Sequence, residues 1–198
     1  MVKEIVCDTS TILTLFSACH LSENKNKYLE KLKEYKLIAP DSVHSELEDF
    51  VRRDNDLGLF ARESLSYKIT FQSVELEDIE RYKKILGVGG RRGITDCDIA
   101  CLSLAIERDI PLFIDDFKAQ FHFSSFFDDH DIFFGILLVC SILAEFMSVS
   151  EIFSFVFDKL VPNRWENISL RNLLTIKHAV SEYLAQDDEE RENYRLSD

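Results

Sequence analysis

Hydrophobic positions along the chain switch between the strand and helix periods, and the switches mark out its elements. Ile5-Val6-Cys7 is a short apolar run with β-branched residues that ends at Asp8, the pattern of a buried strand. Thr9-Ser10-Thr11 can cap a helix carrying Ile12, Leu13, Leu15 and Phe16. A charged amphipathic helix follows, with Tyr28, Leu29, Leu32 and Tyr35 as its apolar positions. Leu37-Ile38-Ala39 predicts a second strand, which Pro40 and Asp41 stop as they open the next helix. Residues 57–65 predict a helix. From Tyr67 to Val74 the alternation suits a third strand, with Ile69 and Phe71 on one side. Leu76–Leu86 reads as a charged helix, Thr95–Glu107 as another, and Leu112-Phe113-Ile114 as a fourth strand ending at Asp115 and Asp116. Beyond residue 130 the pattern is helical, over about 132–147, 150–160 and 169–185.

Strands alternating with helices imply a parallel sheet covered on both faces. The expected architecture is a three-layer α/β/α fold with a central parallel sheet of four to five strands. Residues 1–130 form that domain, 131–186 a helical C-terminal extension packed on it, and 187–198 an acidic, frayed tail. No internal repeat and no Pro-, Gly- or Ser-rich linker marks a second domain. The glycine cluster Gly87-Val88-Gly89-Gly90-Arg91-Arg92-Gly93 reads as a flexible loop. It lacks the Gly-Lys-Ser/Thr of a phosphate-binding loop, and a helix rather than a strand precedes it.

Composition narrows the function classes. Hydrophobic residues are 46% of the 198, enough to bury a core. The net charge of −13 weighs against a non-specific nucleic-acid binder, because phosphate affinity comes mainly from Lys and Arg. That objection weakens if several acids share a cation. The five cysteines have no CxxC spacing and no partner set for zinc, so reduced, buried thiols in a cytoplasmic protein are expected. The run Ile132–Ala144 is shorter than the ~20 residues of a membrane span, so it reads as a buried helix rather than an anchor.

Most of the 36 acids need no explanation beyond solvation. Four positions do. Asp8 follows the first strand, where open parallel sheets build their sites; the alternative is a plain helix cap. Glu46 shares a helical stripe with Val43 and Phe50, whereas Glu48 and Asp49 do not. Asp98 begins the stripe of Cys101, Leu102 and Ala105 and is a better inward acid than Asp96, although Thr95-x-x-Asp98 also fits a capping box. Asp115 and Asp116 sit together at a strand end, where an exposed turn is the competing explanation. Together these place carboxylates at one end of one sheet. Hard oxygen donors of this kind suit Mg²⁺ or Mn²⁺, not zinc.

In these segments the chain resembles PIN-domain proteins of the VapC-like toxin ribonuclease group. The matching stretches are Ile5-Val6-Cys7-Asp8-Thr9-Ser10, Ala39 to Leu47, Asp98 to Ala105 and Pro111 to Asp116, in that order. The resemblance covers residues 2 to about 120. It implies a Mg²⁺- or Mn²⁺-dependent endoribonuclease whose metal-binding and catalytic acids are Asp8, Glu46, Asp98 and Asp116, with Asp115 able to replace Asp116. Ser10 would supply a hydroxyl that orients a ligand. The implied partners are an RNA substrate, a small antitoxin protein and a second copy of the chain. Arg91, Arg92 and Lys118 are the cations placed to meet RNA phosphates, with solvated loop charge as the alternative. Phe121, Phe123, Phe126 and Phe127 suit core or dimer packing better than base stacking. Two other classes stay open: a non-catalytic PIN-like scaffold, and a structure-specific DNA nuclease, which usually carries more acids and a longer basic arch.

Overall fold

A computed structural model of the protein describes residues 2–88 and 93–186. The chain alternates strand and helix through β1 (Lys3–Cys7), α1 (Thr9–Leu21), α2 (Lys25–Leu32), β2 (Tyr35–Pro40), α3 (Asp41–Val51), α4 (Asp56–Leu65) and β3 (Thr70–Gln72). It continues with α5 (Leu76–Leu86), α6 (Asp96–Arg108), β4 (Leu112–Phe113), α7 (Phe117–Phe126), β5 (Ile132–Phe133) and α8 (Gly135–Ala144). Last come α9 (Val149–Ser154), a π-helical turn (Phe155–Leu160), α10 (Val161–Arg164) and α11 (Leu170–Ala185).

All five strands are parallel, in the order β3-β2-β1-β4-β5. The chain therefore builds outward from β1 to β3, returns past β1, and builds the other way through β4 and β5. Right-handed crossovers then put α1 to α4 on one face and α5 to α7 on the other. The contacts agree: α1 packs with α3, α4 and α8, and α5 packs with α6 and α7. Ile5, Val6 and Cys7 of β1 and Leu37, Ile38 and Ala39 of β2 have no exposed surface, as strands covered on both sides require.

Three sequence-based expectations are corrected. Tyr35 opens β2 rather than closing a helix. The third strand is only Thr70–Gln72. The apolar run from residue 132 is not one helix: Ile132 and Phe133 pair with Leu112 and Phe113, and α8 begins at Gly135. A two-residue strand inside a continuous apolar run has no periodicity of its own, so nothing local separates it from the helix. Helix α7 was also not foreseen, because its apolar and polar positions do not segregate cleanly. Residues Gly135 to Leu143 of α8 are all buried. Among the described residues, no helix is long and apolar enough to cross a membrane. The acidic tail 187–198 and the loop arginines Arg91 and Arg92 lie outside the described residues.

Candidate active site

The order of the strands makes a switch point between β1 and β4, where the connections leave in opposite directions and open a crevice at the carboxyl ends. Asp8 stands at the end of β1, its backbone N–H donating to Phe113 O of β4 at 3.2 Å. It also caps α1: Oδ1 accepts from Thr11 N at 2.7 Å, and the Ser10 hydroxyl donates to Oδ2. Across the crevice, α6 presents Asp98 in its first turn, and α7 begins with Asp116 as its cap, accepting from Lys118 N and Ala119 N at 2.9 Å. Glu46 comes from α3, where Val43 and Leu47 are buried and Glu48 and Asp49 are exposed. Its Oε2 accepts from the Thr9 hydroxyl.

Asp8, Glu46, Asp98 and Asp116 line one cavity of about 200 Å³. Three of them sit at helix N-termini, where unpaired backbone N–H groups and the helix dipole favour negative charge. Asp98 does form the capping box: its Oδ2 accepts from Thr95 N at 2.7 Å and from Thr95 Oγ1 at 2.8 Å, while Thr95 Oγ1 accepts from Asp98 N. The cap and the cavity position are compatible, because the second oxygen is not used in the box. Asp96 is exposed and paired with Lys83 at 2.8 Å, away from the cavity. Of the two adjacent acids, Asp116 lines the cavity. Asp115 is buried behind it, with Oδ1 accepting from Ile136 N at 3.2 Å at the start of α8.

The crowding shows in the acidities. Burial pushes the Asp98 carboxyl up to about 6, and the charges of Asp8 and Asp116 push the same way against the Thr95 hydrogen bonds. Burial also raises Asp8, opposed by Ser10, Thr11 and Arg164. Asp115 is raised to about 6 by burial and by Asp8. A carboxyl whose pKa is higher folded than unfolded holds its proton more tightly in the folded chain. Its proton stabilises the fold fully below about 4, and that gain is lost as pH rises through about 6. The metal-free chain should therefore melt at a higher temperature at pH 5 than at pH 7.5. Thermal scans in a chelator across this range check the sign, and a melting temperature that climbs from pH 5 to 7.5 refutes it.

One residue of the site was missed from sequence. Arg164, at the end of α10, donates through Nε to Thr14 Oγ1 and through a terminal nitrogen to Ser10 O, both at 3.2 Å. Among the described residues it is the one cation lining the acid cavity. Burial lowers its pKa, and the charges of Asp115 and Asp8 raise it. Val161-Pro162-Asn163-Arg164-Trp165 carries no signal that separates it from a surface arginine; only tertiary packing brings it across some 150 residues to α1. The five cysteines are free and buried, in line with expectation. Of the aromatics expected in core or dimer packing, Phe123 is fully buried, whereas Phe121 and Phe126 are exposed.

The donor set fits a hard divalent cation in kind: among the described residues the cavity wall holds four carboxylates and no imidazole, with the buried Cys97 thiol as its one sulfur. As they stand, however, no three Asp, Glu, His or Cys side chains among the described residues are grouped closely enough to hold a metal ion. The acids share walls rather than a common centre. Fold and site together define an α/β protein with an acid-lined cavity at its topological switch point. The chain matches no protein-family model, and no curated protein matches it.

Proposed function

We propose that the protein is a PIN-type, Mg²⁺- or Mn²⁺-dependent endoribonuclease. The observation that carries this reading is the meeting of Asp8, Glu46, Asp98 and Asp116, from four different elements, in one cavity at the switch point. Burying carboxylates together is costly without a compensating charge, and a divalent cation supplies it.

These four acids would hold the ion, with Ser10 and Thr9 fixing the orientation of Asp8 and Glu46 through their hydroxyl donors. Bound there, such an ion polarises a phosphoryl oxygen and lowers the pKa of a coordinated water. The chain's own residues supply the rest. Asp98 keeps one oxygen outside the capping box, free to face the ion. The proton of the attacking water ends on the departing 3′ oxygen. Water attack at phosphorus breaks the bond to the 3′ oxygen and leaves a 3′-hydroxyl and a 5′-phosphate. Arg164, anchored on Thr14 and Ser10 O, supplies positive charge for the phosphate that must enter an acidic cavity. A VapC-like role, with a small antitoxin as partner and a homodimer as the working form, follows from the same resemblance.

The test is direct. Wild-type protein with Mn²⁺ should cut a single-stranded RNA, and Mn²⁺ should raise its melting temperature, by an amount set by how far the ion exceeds its Kd. A second reading, a PIN-like scaffold without catalysis, is favoured by the acids' failure to converge on one centre and by the net charge of −13. A folded protein that neither cleaves RNA nor gains stability from Mn²⁺ selects the scaffold.

A further inference from the structure

The acid cavity is not isolated. Ser10 and Asp116 belong also to the wall of an adjoining groove of about 620 Å³. That groove in turn shares Phe117, Lys118 and Asn172 with a further hollow of about 510 Å³. The three form a continuous path that leaves the acids, passes the first turn of α11 and ends beside Arg171 and His122.

The chemistry of the walls changes along this path. Beyond Asp115 and Asp116 no carboxylate among the described residues lines it, although the protein carries 13 more negative than positive charges. Lys118 and Arg171 line it instead. Both are exposed, and neither forms an ion pair among the described residues, which is equally true of Lys27, Lys33, Lys68 and Lys84 elsewhere. Two cations on a stretch of wall with no carboxylate among its described residues are a local reversal of the field in so acidic a chain.

Gly93 makes room for one of them. It has φ +113, and a Cβ there would lie 2.9 Å from Lys118 Nζ. Aromatic surface is also present. Trp165 is half-buried in the groove wall, with the Arg164 guanidinium 5.5 Å from its ring centre, and Phe121 is 46% exposed in the outer hollow. Asn167, Ser169 and Asn172 supply neutral donors and acceptors between them. Cations spaced with aromatic faces along a groove are what an unpaired nucleic-acid strand requires: phosphates meet the cations, and bases stack on the rings.

We propose that this path is a seat for single-stranded RNA. It holds the nucleotides on one side of the bond cut in the acid cavity, and it rests on the nuclease reading above. The C-terminal part of the chain, through Trp165, Asn167, Asn172 and Arg171, is then half of the substrate site rather than a structural appendage.

The test is binding without cleavage, using the full chain in chelator and a fluorescein-labelled 12-nucleotide oligouridylate read by anisotropy. The Lys118→Ala/Arg171→Ala double variant should bind roughly tenfold or more weakly. Losing two phosphate contacts should also flatten the slope of log K against log salt by about 1.4. Trp165→Ala should weaken binding by roughly tenfold, and Trp165→Phe should restore most of it, which separates stacking from misfolding. The control variant Lys33→Ala/Arg52→Ala, outside the groove, should bind as wild type does. A double variant with wild-type affinity and salt slope overturns the seat, as does a blunt RNA duplex that binds as tightly as the single strand. Either result leaves the nuclease reading standing if wild-type protein cleaves RNA in Mn²⁺. Loss of that cleavage with binding intact removes the nuclease reading and keeps the groove.

Discussion

Replacing Asp98 with Asn is expected to stop Mn²⁺-dependent RNA cleavage while leaving the metal-free chain at least as stable as wild type. The two halves of this expectation have different origins. For activity, the variant removes a negative donor from a cavity whose four acids must act as a unit, so a loss of roughly a thousandfold or more in kcat is expected. For stability, Asn keeps the size of the side chain and an oxygen able to cap α6 through Thr95 N. It also removes a charge that burial and the neighbouring Asp8 and Asp116 make unfavourable. At pH 7 the relief of that repulsion should offset any weakening of the cap. Asp8→Asn and Glu46→Gln should lose activity to a similar degree. Asp96→Asn is the informative contrast: its carboxylate pairs with Lys83 on the outer side of the same helix, and it should cleave normally. Single-turnover cleavage and thermal melts of the four variants decide the matter. Equal loss in Asp96→Asn and Asp98→Asn would move the site elsewhere.

The second large effect is on folding. Gly135 opens α8 against α1, and a Cβ added there would lie 2.4 Å from Thr11 Oγ1, 2.6 Å from Thr11 Cγ2 and 2.8 Å from Asp115 Oδ2. Both neighbours are buried, and Thr11 is β-branched with little freedom at χ1. Neither α1 nor α8 can yield cheaply. Thr11 Oγ1 and Asp115 Oδ2 are buried with no hydrogen-bond partner among the described residues, so any shift also moves two buried polar atoms. Gly135→Ala should therefore destabilise the chain by about 2–3 kcal/mol, a fall of about 5–10 °C in melting temperature for a domain of this size. Removing the obstructing atoms should restore part of the loss, so Thr11→Ala/Gly135→Ala should be more stable than Gly135→Ala alone. If the double variant is the less stable of the two, steric contact with Thr11 is not the cause.

The two expectations meet at Asp115. Sequence reasoning places Asp115 and Asp116 side by side at a strand end and has no means of telling them apart. The packed structure separates them: Asp116 caps α7 on the open side, and Asp115 turns inward to accept from Ile136 N. The distinction depends on α8, an element whose boundary the sequence misplaced.

Much of the site was legible because its residues sit where local rules leave traces. A strand of β-branched residues ending in an acid gives Asp8, and a carboxylate on an apolar helical stripe gives Glu46. The stripe of Cys101, Leu102 and Ala105 gives Asp98 as the inward acid, and the Thr95-x-x-Asp98 spacing gives its capping role. Each trace comes from the period of a single element, which neighbours in sequence determine. The sequence by itself thus determined the alternation of strands and helices, the parallel sheet and the positions of Asp8, Glu46 and Asp98 as candidate acids. Only the tertiary structure decided the strand order that opens the crevice, the choice of Asp116 over Asp115, the arrival of Arg164 and the groove beyond. The reason is physical: a period reports which side of an element is dry, whereas a site is made where sides of several elements face one another. That is settled by packing between residues far apart in the chain, from Thr9 with Glu46 to Ser10 with Arg164.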